Sequence, residues 1–410
     1  MNALQRVWHT SRGLQPSCGR GGDNRSWLNR LAVLLAACYL ADRSLKLLAV
    51  VAFFRRPPPA PPEDWPTVTI IQPITRGLHD IRRALASRVA LDYPAAVQHL
   101  LVCDAADQEN QNVCRSLIAQ HPGWQARLLL APTTSRAIAL KIDKMQLALP
   151  HATGQVLCFV DDDVSLRPAA LRQLVPPLFQ PGAGATFGLA CYTTWTNTWS
   201  SLMSGFVNAS ALLNYIPLAT LTEPYTITGH CFALRREVFE AAGGFGGMAG
   251  RMDDDHELAR RVRALGLRCV QTPLVYDVDN QLESAAAYQA QIKRWFVFPR
   301  QTMLPFLTRR ERVITTVASA GIAIPPLVAA LALAGRGRTA WGALGACLAA
   351  FVAIYAWCER RYLGRITPLA RLPLLLAVAL ATPLQIVAAL LADDNIEWRG
   401  QRMSVERTKN

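Results

Sequence analysis

The chain has 410 residues, 51% of them apolar and 18% charged, which is too apolar for an ordinary soluble domain and points to membrane-crossing segments beside a catalytic-sized domain. Its formal charge of +14 comes from 43 Lys+Arg against 29 Asp+Glu, with only five lysines among the cations. Anionic lipid and phosphorylated small molecules suit that balance, whereas no Lys/Arg block interleaved with aromatics supports nucleic-acid binding.

Residues 1–30 carry Arg6, Arg12, Arg20 and Arg25 and read as a disordered basic N-terminus. No short apolar core with a small-residue cleavage site follows at once, so a signal peptide is not expected. Residues 31–54 are apolar apart from Asp42, Arg43 and Lys46. On a helix these three share one stripe, with Asp42 and Lys46 an i,i+4 pair. Such a stripe can be buried against another helix or can snorkel, so the segment is a transmembrane or interfacial helix. Residues 55–66 begin with Arg55-Arg56 and continue as PPPAPPEDWP, a basic stop and a stiff proline-rich linker.

Residues 67–300 change pattern. Strand-like runs at 67–72, 99–103, 126–131 and 155–160 alternate with helical stretches at about 78–90, 109–121 and 140–150. Strands apolar on both faces, separated by helices, predict an α/β domain with a mostly parallel sheet. Ligands of such sheets sit beyond the carboxyl ends of the strands. The ten cysteines contain no C-x-x-C pair, and Cys103, Cys158 and Cys269 lie within or at the ends of apolar runs. A reduced, cytosol-facing protein without structural zinc is expected.

Residues 192–221, rich in Trp, Leu and Phe, read as an amphipathic stretch in the membrane interface that helps a lipid enter. The Gly-rich run 243–250 reads as a mobile loop, since it lacks the G-K-[ST] of a phosphate loop. Residues 301–312 form an interfacial connector. Three uncharged stretches follow, 313–335, 339–358 and 372–392, of 23, 20 and 21 residues. Each can cross about 30 Å of hydrocarbon as a helix, with prolines that membrane helices tolerate. The tail 393–410 is Arg-rich. Four crossings would put both termini outside, against the positive-inside tendency, so 31–54 or 372–392 is suspected to lie in the interface instead.

Three acidic or amphipathic features carry the chemistry. Asp161, Asp162 and Asp163 end the run VLCFV. Adjacent carboxylates repel and raise one another's pKa unless solvent or a cation relieves them. Asp161 and Asp163 form a D-x-D pair that a tight turn could present to Mg²⁺ or Mn²⁺, ions that take few carboxylates plus phosphate oxygens. Alone, that pattern is common on solvated turns. Asp253, Asp254 and Asp255 open a helix, where the dipole favours them, but a carboxylate there could also act as a general base. Gln291, Arg294 and Trp295 form Q-x-x-R-W on a helix before the membrane region.

The ordered set is an acidic turn after the second strand, D-x-D after the fourth, an acidic helix start, then Q-x-x-R-W. It resembles the membrane-bound family 2-type glycosyltransferases with a glycosyltransferase-A (Rossmann-like) catalytic domain. The ceramide glucosyltransferase branch, with the bacterial hopanoid glycosyltransferases, is most similar over roughly residues 30–400. LKIDK, TGHCFALRREVFEAAGGF and IEWRGQR look like segments of that branch.

The resemblance implies that Asp104 or Asp107 contacts the uridine of a UDP-sugar donor, with Asp107 preferred. It implies that Asp161 and Asp163 hold Mg²⁺ or Mn²⁺, that Asp255 is the catalytic base, and that Asp254 stands where the family often has Glu. Gln291, Arg294 and Trp295 would bind diphosphate and acceptor, with Lys141 near the phosphates. The sequence departs from the branch at Asp143, His230 and His256. The implied reaction is inverting transfer of a hexose, glucose or N-acetylglucosamine, to the hydroxyl of a ceramide- or hopanoid-like membrane lipid. The implied place is the cytosolic face of a bacterial inner membrane. A processive polysaccharide synthase on the same fold is the alternative, though such enzymes usually have more spans; a transporter should carry ionisable residues inside its spans.

Overall fold

A computed structural model describes residues 20–75, 81–133, 140–248, 251, 253–398 and 401–404. The first element, α1 (Arg20–Arg55), is a single helix. The helix therefore already covers residues 20–30, and residues 1–19 lie outside the described residues. Prolines from Pro57 onward forbid its continuation.

Strands β1 (Val68–Pro73), β2 (Val97–Asp104), β3 (Ala126–Ala131) and β4 (Val156–Val160) alternate with α2 (Arg82–Val89), α3 (Gln108–Gln120) and α4 (Leu140–Ala148). These are the expected strands and helices. The second half of the domain follows: β5 (Val164–Ser165), α5 (Ala170–Leu174), β6 (Ala183–Tyr192), α6 (Thr198–Ser210), α7 (Ile216–Leu221), β7 (Cys231–Arg235), α8 (Arg236–Ala241), α9 (Asp254–Ala264), β8 (Arg268–Val278) and α10 (Ala285–Phe298).

The eight strands form one sheet in the order β3-β2-β1-β4-β7-β6-β8-β5. From β3 to β4 the pairings are parallel. Beyond β4, β7 runs antiparallel to both neighbours, β6 and β8 pair parallel, and β5 is antiparallel to β8. The sheet is thus mixed, with a parallel half that carries the expected ligand side. Successive residues of β4 face opposite layers: Val156, Cys158 and Val160 join one core with Leu171 and Tyr276. Leu157 and Phe159 join the other with Phe232 and Val238. This is the period-two alternation of a strand covered on both faces.

The Gly-rich run after α8 is packed rather than loose. Gly243, Gly244 and Gly247 take left-handed φ of 78°, 52° and 69°, which lets the chain fold back and bury Phe245 and Met248. Residues 249 and 250 lie outside the described residues.

The remaining helices are α11 (Arg309–Ala320), α12 (Ile324–Gly335), α13 (Arg338–Cys358) and α14 (Leu372–Leu391). Among the described residues four helical stretches are long and apolar enough to cross a membrane: Thr198–Leu221, Arg309–Gly335, Arg338–Leu363 and Leu369–Leu391. The first is the stretch expected to lie in the interface. Two-thirds of its apolar window is buried inside the protein, between the sheet and the other helices. Its Asn208 amide holds the end of β6, accepting from Tyr192 N at 2.7 Å and donating to Tyr192 O at 3.0 Å.

The charges of α1 keep it out of that set, but they are buried in the helix bundle. Arg43 and Lys46 are 2% and 5% exposed and pair with Asp42 at 2.8 and 3.1 Å. Asp42 stands opposite Gly321, where a Cβ would come within 2.4 Å of its carboxylate. Leu28 lies against Gly335, so α1 runs antiparallel to α12. Phe54 stacks on Tyr362 at 4.3 Å, so α13 ends where α1 ends.

The geometry of α14 differs. Before its start, Arg371 donates to Thr196 O at 2.9 Å. Along it, Gln385 accepts from Tyr288 of α10 at 3.1 Å. After it, Asp393 and Asp394 pair with Lys293 and Arg300. Both ends of α14 are thus fastened to the domain built on the eight-stranded sheet. A terminal hairpin, β9 (Asn395–Trp398) and β10 (Gln401–Ser404), follows, and Ile396 packs on Val297 of α10.

Candidate active site

The turn after β4 sorts its three carboxylates by direction. The middle one, Asp162, turns back into the fold, buried, and accepts from the backbone N of Thr75. The turn is held by its backbone: the N–H of Asp161 donates to His230 O at 2.9 Å, and Asp163 O accepts from Asp279 N at 3.1 Å. The middle carboxylate of the three is spent on the scaffold, which leaves those of Asp161 and Asp163 for other partners.

Across this turn stands Lys141 of α4. Its ammonium lies 2.9 Å from Asp161 Oδ1 and 3.5 Å from Asp254 Oδ2, and it donates to Gly229 O at 3.2 Å. The Asp254 contact is an ion pair without hydrogen-bond geometry. Burial alone would pull the ammonium down, but Asp161, Asp254 and Asp255 outweigh it and hold Lys141 above the ordinary lysine value.

Asp255, in the first turn of α9, accepts from Gly229 N at 3.1 Å and from His256 N at 2.7 Å. Burial, and then the neighbouring Asp254 charge, push its carboxyl up to about 7 against the pull of Lys141. Burial likewise raises Asp254. Two residues beyond Asp255, Glu257 has the opposite fate. Burial disfavours its charge, but Arg260 and Arg261, with Arg251 beyond them, bring it down to about 2. Two acids of one helical turn are thus set apart by what faces them, a pattern seen where one carboxyl must exchange protons near neutrality.

Asp163 fits a cation. Its Oδ1 is buried without a hydrogen bond among the described residues. Burial, then Asp161 and Asp162, raise its proton affinity well above the usual carboxylate range. A divalent ion relieves this repulsion. Among the described residues no cluster of three His, Cys, Asp or Glu could hold one alone, so diphosphate oxygens would complete the shell, as Mg²⁺ chemistry favours.

Asp104 and Asp107 lie at the carboxyl end of β2, two strand spacings from β4, or about 10 Å. Asp104 accepts from Ala106 N at 2.8 Å and Thr133 Oγ1 at 2.7 Å. Asp107 caps α3, accepting from Asn110 N at 3.2 Å and Asn110 Nδ2 at 2.7 Å. Trp295 of α10 faces Tyr192, with ring centroids 6.2 Å apart, and the Tyr192 hydroxyl meets His230 Nε2 at 3.2 Å. Arg294 is close enough to His230 to act on its charge; burial, with Lys141 and Arg294 adding, outweighs Asp161 and keeps this histidine below its usual pKa. Gln291 lies half-buried one turn earlier.

Lys141 is therefore directly joined to Asp161 and Asp254, and to Asp255 through the Gly229 peptide, with Asp163, Arg294 and Trp295 around them and Asp104 and Asp107 along the sheet edge. Sequence reasoning missed Tyr192 and Lys144. The second is a buried lysine donating to Ile74 O at 2.5 Å, with Asp104 and Asp162 its nearest charges. Its place on α4, one turn after Lys141, was the available signal.

A family model for glycosyl transferase family 21 matches residues 30–410. The chain belongs to glycosyl transferase family 21. This family-21 chain is 23% identical over 269 residues to the probable glycosyltransferase YdaM of Bacillus subtilis (strain 168), covering 62% of this chain and 61% of that one. It is 29% identical over 144 residues to the O-antigen biosynthesis protein RfbC of Myxococcus xanthus, covering 32% and 11%. The chain thus spans less than two-thirds of either relative. The mannosyltransferase PcManGT from Pyrobaculum calidifontis, solved in complex with GDP-Man and Mn²⁺, has the same fold. It superposes with a TM-score of 0.52 at 19% identity, covering 87% of the family-21 chain and 99% of PcManGT.

The Gly229 backbone is the seat of Asp255. A Cβ there would come within 3.0 Å of Asp255 Oδ2 and 3.3 Å of its Cγ. Gly229→Ala is therefore expected to displace the carboxylate and cut turnover by about ten- to a hundredfold, while thermal unfolding shows the midpoint little changed.

Proposed function

We propose that this glycosyltransferase moves a hexose, glucose or N-acetylglucosamine, from a UDP-sugar to the hydroxyl of a membrane lipid, ceramide- or hopanoid-like, inverting the anomeric centre. The observation that carries this reading is that Lys141 pairs with Asp161 and Asp254 while donating to the carbonyl of Gly229, whose N–H holds Asp255, beside an apolar entrance. That entrance starts at Trp295, whose ring stacks on Phe206 of α6 at 6.3 Å. Phe206 in turn lines a narrow cavity of about 50 Å³ among the helices, with Tyr39, Leu213 and Phe351. Tyr215, half exposed at the end of a π-turn, stands near enough to Asp255 to feel its charge. An apolar acceptor whose hydroxyl reaches Asp255 suits this arrangement.

Asp255, half-buried and hydrogen-bonded through two backbone amides, takes the proton of the attacking hydroxyl. Lys141 and Arg294 set a positive field where the leaving diphosphate gains charge. Asp104 or Asp107 orients the base of the nucleotide at the far end of the same crevice, with Asp254 and Gln291 completing the donor and acceptor contacts. Mg²⁺ or Mn²⁺ held by Asp161 and Asp163 supplies Lewis-acid stabilisation of the same diphosphate.

The membrane arrangement we propose has α1, the stretch Arg309–Gly335 and the stretch Arg338–Leu363 crossing the bilayer. In it α14 lies in the interface beneath the catalytic domain. The double fastening of α14 supports this. It also leaves the Arg-rich tail on the catalytic, cytosolic side, in keeping with the positive-inside tendency.

Membranes containing the protein, given labelled UDP-sugar and lipid extract, are expected to yield lipids carrying one sugar; a ladder of products would mark a processive synthase. Asp255→Asn should lower transfer on the order of 10²–10⁴-fold, and a variant as active as wild type would overturn the assignment. Because Asp255 works as the carboxylate and its folded value is about 7, kcat/KM should fall tenfold per unit as pH drops below 7 and level off above it. Chelation of divalent ions should abolish transfer, with Mg²⁺ or Mn²⁺ restoring it.

A further inference from the structure

A second cavity, of about 470 Å³, opens where the helices meet the underside of the catalytic domain. None of the carboxylate-cluster residues lines it. Its walls include Arg55, Arg56 and Arg361, with Phe54, Trp357 and Tyr362 between them. Among the described residues none of these three arginines has a carboxylate partner. Arg56 lies over the Phe53 ring at 5.6 Å and Arg361 over Tyr362 at 5.6 Å. A fourth arginine, Arg167, is already engaged by Asp277 and Leu363 O.

We propose that this cavity binds the phosphate headgroup of an anionic phospholipid. The proposal rests on the reading of α1 and Arg338–Leu363 as membrane-crossing helices. The apolar part of α1 ends at Phe54 and that of α13 at Cys358, so the cavity sits where hydrocarbon gives way to headgroups. Aromatic rings stacked beside arginines, Phe54 on Tyr362 and Trp357 edge-on to Tyr362 at 5.6 Å, are what that depth selects. Two helix carboxyl ends meet here, each worth about half a negative charge, and three unpaired guanidiniums outweigh them. The surplus positive charge calls for an anion. A soluble phosphate would leave the outward apolar face of α1 bare, where Leu45 and Leu48 are 66% and 64% exposed. A phospholipid places its phosphate among the arginines and an acyl chain along that face.

The test uses the full chain, purified in neutral detergent and exchanged into vesicles of phosphatidylcholine with or without phosphatidylglycerol, with co-purifying lipid counted by native mass spectrometry. Phosphatidylglycerol is expected to be retained over phosphatidylcholine. Its apparent affinity should fall about a hundredfold in Arg55→Gln/Arg56→Gln/Arg361→Gln and stay within about twofold in Arg336→Gln/Arg338→Gln, at the other end of the bundle. Should the triple variant fail to fold, Arg361→Gln alone is expected to lose about fivefold. Equal retention of the two lipids, retention by the variants equal to wild type, or displacement of the lipid by millimolar inorganic phosphate would each overturn the site. Alkaline carbonate extraction separates the two readings. A chain that stays in the membrane without lipid preference removes only the headgroup site, whereas one that is extracted removes the membrane reading beneath it.

Discussion

One ammonium joins the two acidic clusters. Lys141 comes from the helix before β4, Asp161 from the turn after it, and Asp254 from a helix that follows the antiparallel strands. Without that cation, Asp163, Asp254 and Asp255 would keep their burial and mutual repulsion with nothing to offset them, and would take up protons more readily still. With it, Asp161 has a partner and Asp255 is left near neutrality rather than far above it. The parallel half of the sheet supplies the lysine and the D-x-D turn; the antiparallel half supplies Gly229 and the acidic helix start. The site therefore exists only where the two halves are paired edge to edge through β4 and β7.

The parallel half was legible because β1, β2 and β4 are rich in Val, Leu and Ile, with Pro73 closing β1, Asp104 closing β2 and Asp161 following β4, so period and punctuation agree. The strand β6 was not. Its sequence AGATFGLACY is small and weakly β-forming, yet every residue is buried, and it is held by pairing with β7 and β8 and by the Asn208 amide. Propensity is silent where tertiary contact decides. The charges of α1 were read correctly as a stripe, but whether they met lipid or protein depended on Gly321, far along the chain. The D-x-D pair was visible, whereas the inward turn of Asp162 toward Thr75 was not, since nothing in three identical residues says which one faces the scaffold.

Family membership accounts for the order of the motifs; the physical arrangement says what they do together. Asp255 and Glu257 make the point. Both lie in the first turn of α9, Glu257 buried and Asp255 half-buried. One meets an acidic neighbour and the other three arginines, and their proton affinities part accordingly.

The fastening of α14 at both ends has a mechanical consequence. In the membrane arrangement proposed above, with Thr196 gripping one end of α14 and Lys293 and Arg300 the other, helix and domain would sit on the bilayer as one body. The height of the domain above the lipid would then be set once, at folding. Whatever a substrate must do to reach the carboxylates, it does by drifting sideways to a stationary mouth, so the enzyme waits for its acceptor rather than reaching down for it.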